Sequence, residues 1–495
     1  MSENKEMIRE TSNKNASSKL VNKLKKANKR LKVFVYLLIC ICICLSSLLV
    51  RSVFFKTSTI STAEGKIEEA LNIMGNNWYF GKDIDNLDDR LLNQALTGIT
   101  TNAEDPHTYY MTKEEVASFV QSINRNFVGI GVQFVANNGL NMIQRVFKGS
   151  PAEKAGVLPG DIIHIVDGTV VDNMSSSNIA DLVKGEEGTK VHIDFIRDGE
   201  TVSLDLTREQ ISSTVYGEVK DGIGYLEIVQ FGESTANEVQ LYLEDFNNQN
   251  IKDLIIDLRN DGGGYLTALQ SVGGLFLDSG SVALVEEYAS GKSKTLTVNG
   301  DKLWNDDGQI VMIVNDNTAS AAEAFTLAMK EQRANVTVIG KTTYGKGTVQ
   351  ITDQFKDGSA IKYTTSKWLS SKGVWVNGEG IEPDVTVELP DILNVAISEL
   401  PEGTTYAYDS VGNEVSIAQK ALDYLGYEVD RNDGYFSHET EECINAFQKD
   451  HELEVTGIMD KTTYQTLISS VTFDWSTNKT HDTQLQYAED LINGR

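Results

Sequence analysis

Cysteine is scarce. The 495 residues hold four, and Cys40, Cys42 and Cys44 share one uncharged run, which leaves Cys443 alone in the remainder. No disulfide can close within that remainder, so its stability has to come from packing, and the lone thiol reads as a small buried apolar residue. Histidine is thin as well: none of the six (His107, His164, His192, His438, His451, His481) falls between Val311 and Gln350, the stretch richest in chemistry. Zinc-finger spacings are absent, and Gly340-Lys341-Thr342 lacks the glycine five residues earlier that a phosphate-binding loop needs. Positive charge is in deficit. The net charge is −27, and removing the +7 of residues 1–32 leaves −34, an acidic remainder that argues against binding nucleic acid or anionic lipid.

Length predicts three or four domains, each with its own core. Residues 1–32 carry ten Lys and Arg against three Glu, and the 18 residues Val33 to Val50 then have no charge. That run is just long enough to cross a bilayer with help from Phe54 and Phe55. The basic side stays in the cytoplasm, which places everything after Arg51 outside. A cleaved signal peptide is the rival reading, but Ser46-Ser-Leu-Leu-Val-Arg-Ser52 is a poor Ala-x-Ala-like site. The expectation is a cytoplasmic segment 1–32 and a retained, single-pass transmembrane anchor over 33–50.

Ile310 to Val314 is a short β-branched run, read as a buried strand, and Ala319 to Gln332 has helix formers at helical spacing, with Thr318 or Ser320 able to cap it. Ser320 therefore falls where a strand hands over to a helix. Its hydroxyl lies beside the N–H groups of the first helical turn, which favour negative charge. A serine nucleophile needs a base. The surroundings are not Gly-x-Ser-x-Gly and contain no histidine, so the first candidate is Lys346, between Gly345 and Gly347. Bringing a lysine from near 10.4 to roughly 7 takes about 4 to 5 kcal/mol against the ammonium, which burial can supply. Val336, Val338, Ile339 and Val349 are the expected apolar neighbours.

Asn315-x-x-Thr-Ala-Ser-Ala-Ala-Glu323, followed 26 residues after Ser320 by Lys346 within Gly345-Lys-Gly-x-Val-Gln350, resembles the C-terminal processing peptidases, a family of Ser/Lys proteases. The resemblance implies that Ser320 is the acylating nucleophile, Lys346 the general base and Gln350 the group that orients the lysine amine. It implies no metal, nucleotide or other cofactor.

Upstream, residues 57–112 predict helices: Ile67, Ala70, Leu71 and Met74, then Leu87, Leu91, Leu92 and Leu96, recur at helical spacing. Asp105-Pro-His-Thr-Tyr-Tyr-Met111 resembles a segment that precedes the next domain in the same peptidases; homodimer contact is one use open to this region. Over 113–210, Phe127-Val-Gly-Ile-Gly-Val-Gln-Phe134 and Ser150-Pro-Ala-Glu-Lys-Ala-Gly156, running on to Gly168, resemble a PDZ domain. Such a domain adds a peptide as an extra strand and receives its terminal carboxylate on loop N–H groups. This assigns Gly129, Ile130, Gly131 and Val132 to that loop, with Ile179 and Val183 as the apolar wall beside it. Many relatives have Arg where this chain has Lys184, and lysine offers a point charge in place of a planar fork, so coupling of peptide capture to catalysis through this position is in doubt.

Over 211–400 strands and helices alternate, the mark of a mixed sheet with helices packed on it. Asp257-Leu-Arg-Asn-Asp-Gly-Gly-Gly264 resembles the family's Asp-Leu-Arg-x-x-Pro-Gly-Gly turn, with Gly262 for proline. It implies an oxyanion hole from the N–H groups of Gly263 and Ala321. Glu323 is explained by the dipole of its helix and Asp257 by turn amides or Arg259, so neither is read as an acid–base pair. Gly373-Val-Trp-Val-Asn-Gly-Glu-Gly-Ile-Glu-Pro-Asp-Val385 closes the core and again looks like the peptidases.

Residues 401–410 read as a linker. Two half-repeats over 411–471, including Phe447-Gln448 and Gly457, resemble the small helical peptidoglycan-binding domain of bacterial envelope enzymes, with Phe447 in its core. Peptidoglycan or an envelope protein is its expected partner, and 472–495 reads as a polar tail. The fold expected is multidomain α+β: a mixed α/β peptidase core with an inserted β-rich PDZ domain, a small all-α C-terminal domain and an N-terminal transmembrane helix. The function expected is a bacterial membrane-anchored, extracytoplasmic serine endopeptidase that captures protein C-termini. The alternative is a catalytically silent scaffold, against which Ser320, Lys346 and Gln350 together argue.

Overall fold

The computed structural model describes residues 18, 21, 23–46 and 62–494, except 138, 139, 173 and 306. It forms two units, Met1–Asn102 and Ala103–Arg495. In the first, residues 23–46 are helical; most of 1–22, residues 47–50 at the end of the expected anchor, and 57–61 lie outside the described residues. Among the described residues no helix is long and apolar enough to cross a membrane. Helices α1 (Ala63–Asn77) and α2 (Leu87–Thr100) follow, α1 capped by the Thr62 hydroxyl, which accepts from the Gly65 N–H.

Residues 103–112, expected to prolong the helices, belong instead to the second unit, where β1 (Tyr109–Met111) pairs antiparallel with the strand Ala360–Leu369. Next come α3 (Lys113–Asn124), whose Thr112 and Glu115 form a reciprocal cap, and β2 (Asn126–Gly129). The PDZ-like module contains β3 (Val132–Asn137), β4 (Leu140–Val146), α4 (Pro151–Ala155), β5 (Ile162–Val166), β6 (Thr169–Val170), α5 (Ser176–Val183), β7 (Lys190–Arg197) and β8 (Glu200–Thr207). Its sheet runs β3-β4-β5-β7-β8, with β6 on β5, so β3 is an edge. β9 (Glu209–Ser212) returns antiparallel to β2, and the module enters and leaves the core through this one stem.

The core holds β10 (Val215–Lys220), β11 (Ile223–Ile228), α6 (Thr235–Asn248), β12 (Leu254–Asp257), α7 (Leu266–Phe276), β13 (Val282–Tyr288), β14 (Ser293–Thr297), β15 (Ile310–Val314), α8 (Ala321–Gln332), β16 (Val336–Gly340), β17 (Thr348–Gln354), β18 (Ala360–Leu369) and β19 (Val385–Thr386). The main sheet runs β10-β11-β12-β15-β16-β19 and is parallel except at β10. Every residue of β15 is buried, as a central parallel strand requires. Helices α6, α7 and α8 cover one face around Phe246, Phe276 and Phe325. A second, antiparallel sheet of β1, β18, β13 and β14, with β17 on β18, stands beside it.

Helices α9 (Asn413–Tyr424), α10 (His438–Asp450) and α11 (Lys461–Thr477) enclose Val415, Ile444 and Phe447. Two boundary readings are corrected. Residues 401–410 are no free linker: Leu400 is already in the core of this helical domain, and Tyr406 bridges Met459. Nor is 472–494 a loose tail. α11 runs on to Thr477, and α12 (Thr483–Ile492) buries Leu485 and Ala488 on the face of the main sheet away from α6, α7 and α8, against Ile255, Val311, Ile313 and Ile339. Leu485, Ala488, Leu491 and Ile492 are few and set among glutamines, so the stripe shows only once the sheet beneath it is known.

Candidate active site

Ser320 stands at the N-cap of α8 with φ 58° and ψ −115°, a backbone conformation costly for a residue with a side chain. It is held there by Glu323, which is fully buried. The Glu323 carboxylate accepts the N–H groups of Ser320 at 2.8 Å, Gly345 at 2.7 Å and Lys346 at 2.8 Å, and the Thr343 hydroxyl at 2.6 Å. One side chain therefore fastens the serine segment to the lysine segment across 23 residues. The helix-dipole reading of Glu323 covers only the first of these bonds. The other partners come from the loop after β16, which local sequence does not bring near.

Ser320, Lys346 and Gln350 line one cavity of about 520 Å³, together with Tyr265, Leu284 and Trp368. Burial, with the charge of Lys362 added, pushes the Lys346 amine down to about 8, against the opposing pull of Glu323. Of the four apolar neighbours expected, only Val349 lines this cavity. The lysine loop is fixed by two indoles: Trp368 Nε1 donates to the Lys346 carbonyl at 2.8 Å and Trp375 Nε1 to that of Gly347 at 2.9 Å. Gly345 has φ 84°, and a Cβ there would meet the Gly380 nitrogen at 2.7 Å, so the Gly373 to Val385 segment closes directly over the loop. The Gln350 amide donates to the hydroxyls of Thr348 at 2.9 Å and Thr364 at 3.1 Å.

The sequence reading missed Lys362 and His107. Lys362 lines the same cavity from β18, donates to the Tyr109 hydroxyl at 3.3 Å, and has its pKa lowered by burial. His107 is held below its ordinary pKa by burial first and then by Lys346 and Lys362, with Asp105 opposing. Both arrive through the β1–β18 pairing, and only Asp105-Pro-His hinted at it.

The expected oxyanion donors are treated differently. Ala321 lines the cavity. The Gly263 N–H, however, is given to Asp261 Oδ1 at 2.8 Å, so it is not free for a substrate oxygen in this conformation. Asp261 is fully buried, its Oδ2 has no partner, and burial pushes its carboxyl well above the usual range, with the Gly263 bond and Arg125 opposing. The turn is nonetheless seated on the serine: a Cβ at Gly263 would lie 2.8 Å from both the Ala321 nitrogen and Ser320 Cβ. Asp257 bonds the Arg259 N–H and side chain, as expected. It accepts from the Arg259 N–H and guanidinium and from the Tyr225 hydroxyl, and although burial works to raise its pKa, Arg259 and these bonds hold it below the ordinary value.

In the PDZ-like module, Gly129 ends β2, Ile130 and Gly131 connect, and Val132 begins β3. Val132 and Phe134 line a second cavity of about 730 Å³. Ile179 and Val183 do not: they are 0% and 6% exposed and lie in the module's own core with Ile130. α5 turns Ser176, Ser177 and Ala180 to the cavity instead, and Thr472 and Trp475 of α11 supply another wall. The helix is rotated because the sheet of the module, not the groove, takes its apolar stripe. Lys184 is exposed, and the guanidinium that grips the end of α5 is that of Arg208, bonded to the carbonyls of Val183 at 2.8 Å and Leu182 at 3.1 Å. Among the described residues no group of three or more His, Cys, Asp or Glu is arranged to hold a metal.

Comparison with known proteins gives three domain matches: Peptidase family S41 over residues 222–387, PDZ domain over 128–207 and peptidoglycan binding domain over 411–467. The carboxy-terminal processing protease CtpA of Bacillus subtilis (strain 168) is 35% identical over 88% of this chain and 91% of its own length. A probable CtpA-like serine protease of Staphylococcus aureus (strain N315) is 33% identical over 80% of this chain and 79% of its own. Among solved structures, the photosystem II D1 C-terminal processing protease is 25% identical, with TM-score 0.38, covering 68% of this chain and 89% of that one. The chain belongs to the carboxy-terminal processing proteases, serine-type endopeptidases of peptidase family S41.

Proposed function

We propose that this protein is a membrane-anchored, extracytoplasmic endopeptidase of the bacterial cell envelope that cleaves protein tails through an acyl-enzyme on Ser320. Lys346 in its neutral form takes the serine proton and Gln350 orients the amine. The Ala321 N–H receives the oxyanion, joined by that of Gly263 once Asp261 lets it go. The carrying observation is the Glu323 tie, which sets Ser320 and a lysine pushed down to about 8 on one cavity. Residues 33–50 are the anchor, supported by their 18 uncharged residues behind a basic segment. The edge strand β3 and the cavity beside it receive the substrate's C-terminus, and residues 411–471 hold the enzyme to peptidoglycan or an envelope protein. The test uses the full chain in detergent and a protein substrate ending in small apolar residues. Wild type should remove the tail, while Ser320→Ala and Lys346→Arg should bind it and leave it intact, since a guanidinium stays protonated. Cleavage by Ser320→Ala at the wild-type rate would overturn the mechanism.

A further inference from the structure

Residues 472–494 lie beyond all three domain matches, yet they reach the catalytic core. Asp482 is fully buried at the N-cap of α12. It accepts two bonds from Arg259, from Nη1 at 2.9 Å and Nη2 at 2.8 Å, and Gln484 Oε1 accepts a third from Nη1 at 3.2 Å. The Trp475 ring lies over the same guanidinium at 6.0 Å. The remaining Arg259 donors go to Asp257, from Nε at 2.9 Å and from Nη2 at 2.5 Å. The guanidinium is thus gripped from both sides, by the end of β12 and by a segment 223 residues further on.

Arg259 opens the turn that carries Gly263. Downstream of it Asn260 has φ 62°, Gly263 91° and Gly264 149°; asparagine and glycine reach such angles, and many others, at little cost, so the turn's conformation is selected by its ties and not by steric limits. The turn's opposite side is tied to the serine segment: the Asn260 N–H donates to Asn315 Oδ1 at 2.9 Å, the Thr318 hydroxyl to the Leu258 carbonyl at 2.8 Å, and the Ala319 N–H to the Asp261 carbonyl at 2.9 Å. A displacement of Arg259 therefore moves backbone in van der Waals contact with Ser320.

We propose that Asp482 is a positioning residue of the peptidase: by holding Arg259 it fixes the Gly263 turn against Ser320, so α12 is a working part of the catalytic core and not an appendage of the third domain. The inference rests on Ser320 being the nucleophile. Two features separate positioning from mere anchorage of the helix. Asn and Ser at 482 would keep the cap, in which the Asp482 carboxylate now accepts the Leu485 N–H at 3.0 Å, but would lose the paired acceptors for Arg259. Glu489, at the other end of α12, pairs with Lys220 at 2.9 Å on the surface and touches none of this.

The experiment measures kcat and KM for tail cleavage by the full-length wild type, Ser320→Ala, Asp482→Asn and Glu489→Gln, each well below its melting transition and per mole of folded protein. Asp482→Asn should lose about tenfold in kcat with KM within about twofold, because the acylation geometry suffers and tail capture does not. Glu489→Gln should match wild type in both. Wild-type kcat in Asp482→Asn overturns the inference, as does an equal loss in Glu489→Gln. Should Asp482→Asn fail to fold, Asp482→Ser takes its place, and failure of both overturns a positioning role by making the residue structural. An active Ser320→Ala would sink the nucleophile reading instead, whatever Asp482 does.

Discussion

Replacing Lys346 by Met separates the lysine's chemistry from its burden on the fold. The amine lies at about 8 against an ordinary 10.5, so at 1.36 kcal/mol per pH unit burial and the charge of Lys362, net of the opposing Glu323, disfavour the ammonium by about 3 kcal/mol. The folded value lies below the unfolded one. Between about pH 8 and 10.5 the unfolded chain binds a proton that the folded chain lacks, so stability rises with pH across that window. Below about pH 8 both states are protonated and the fold bears the whole penalty. Methionine fills a similar volume without charge, so Lys346→Met should abolish cleavage yet raise the stability of the core at pH 7, by up to about 3 kcal/mol, with the gain shrinking toward pH 10.5. Trp304 and Trp368 are 2% and 1% exposed within the core and report its unfolding by fluorescence in denaturant. In the wild type the neutral fraction grows about tenfold from pH 7 to 9, and kcat/KM should follow it. A variant less stable than wild type at pH 7, or a flat rate profile, would refute the reasoning.

Two other outcomes follow. Glu323→Ala strips the fully buried acceptor from three N–H groups and the Thr343 hydroxyl, two of the four bonds being buried and two part-buried, and should lower the core's stability by about 3 to 5 kcal/mol and bring activity to background; a melting temperature equal to wild type would contradict the tie. In the PDZ-like module, Ala180→Arg should abolish tail binding, measured by fluorescence anisotropy, with the melt unchanged, whereas Ile179→Ala should lower stability by about 2 to 4 kcal/mol; the reverse pattern would restore Ile179 to the groove.

The lower part of this hierarchy was legible in the residues. A β-branched run before a stretch of helix formers placed Ser320 at a strand-to-helix junction, and two glycines around Lys346 marked a turn. The rotation of α5 was not. Ile179 and Ala180 differ by one position, and which of them meets the groove depends on the side from which the module's sheet covers the helix. The same holds for Glu323, whose place in the first turn of α8 shows one of its four bonds and hides the three that cross to the lysine loop.

By itself, the order of residues determined what is local: the spacing of apolar side chains, the caps, the turns, and which chemical groups are present at all. Only the tertiary structure decided which of them meet. Lys362 lines the cavity and His107 comes under the charges of Lys346 and Lys362 because β1 and β18 pair, the Gly263 amide is bound by Asp261 because that carboxylate is buried with no other donor beside it, and Asp482 finds Arg259 because the uncovered face of the main sheet draws α12 back to it. Periodicity carries information over a few residues. Contacts between distant residues are set by the burial of whole faces, which no short stretch of chain encodes.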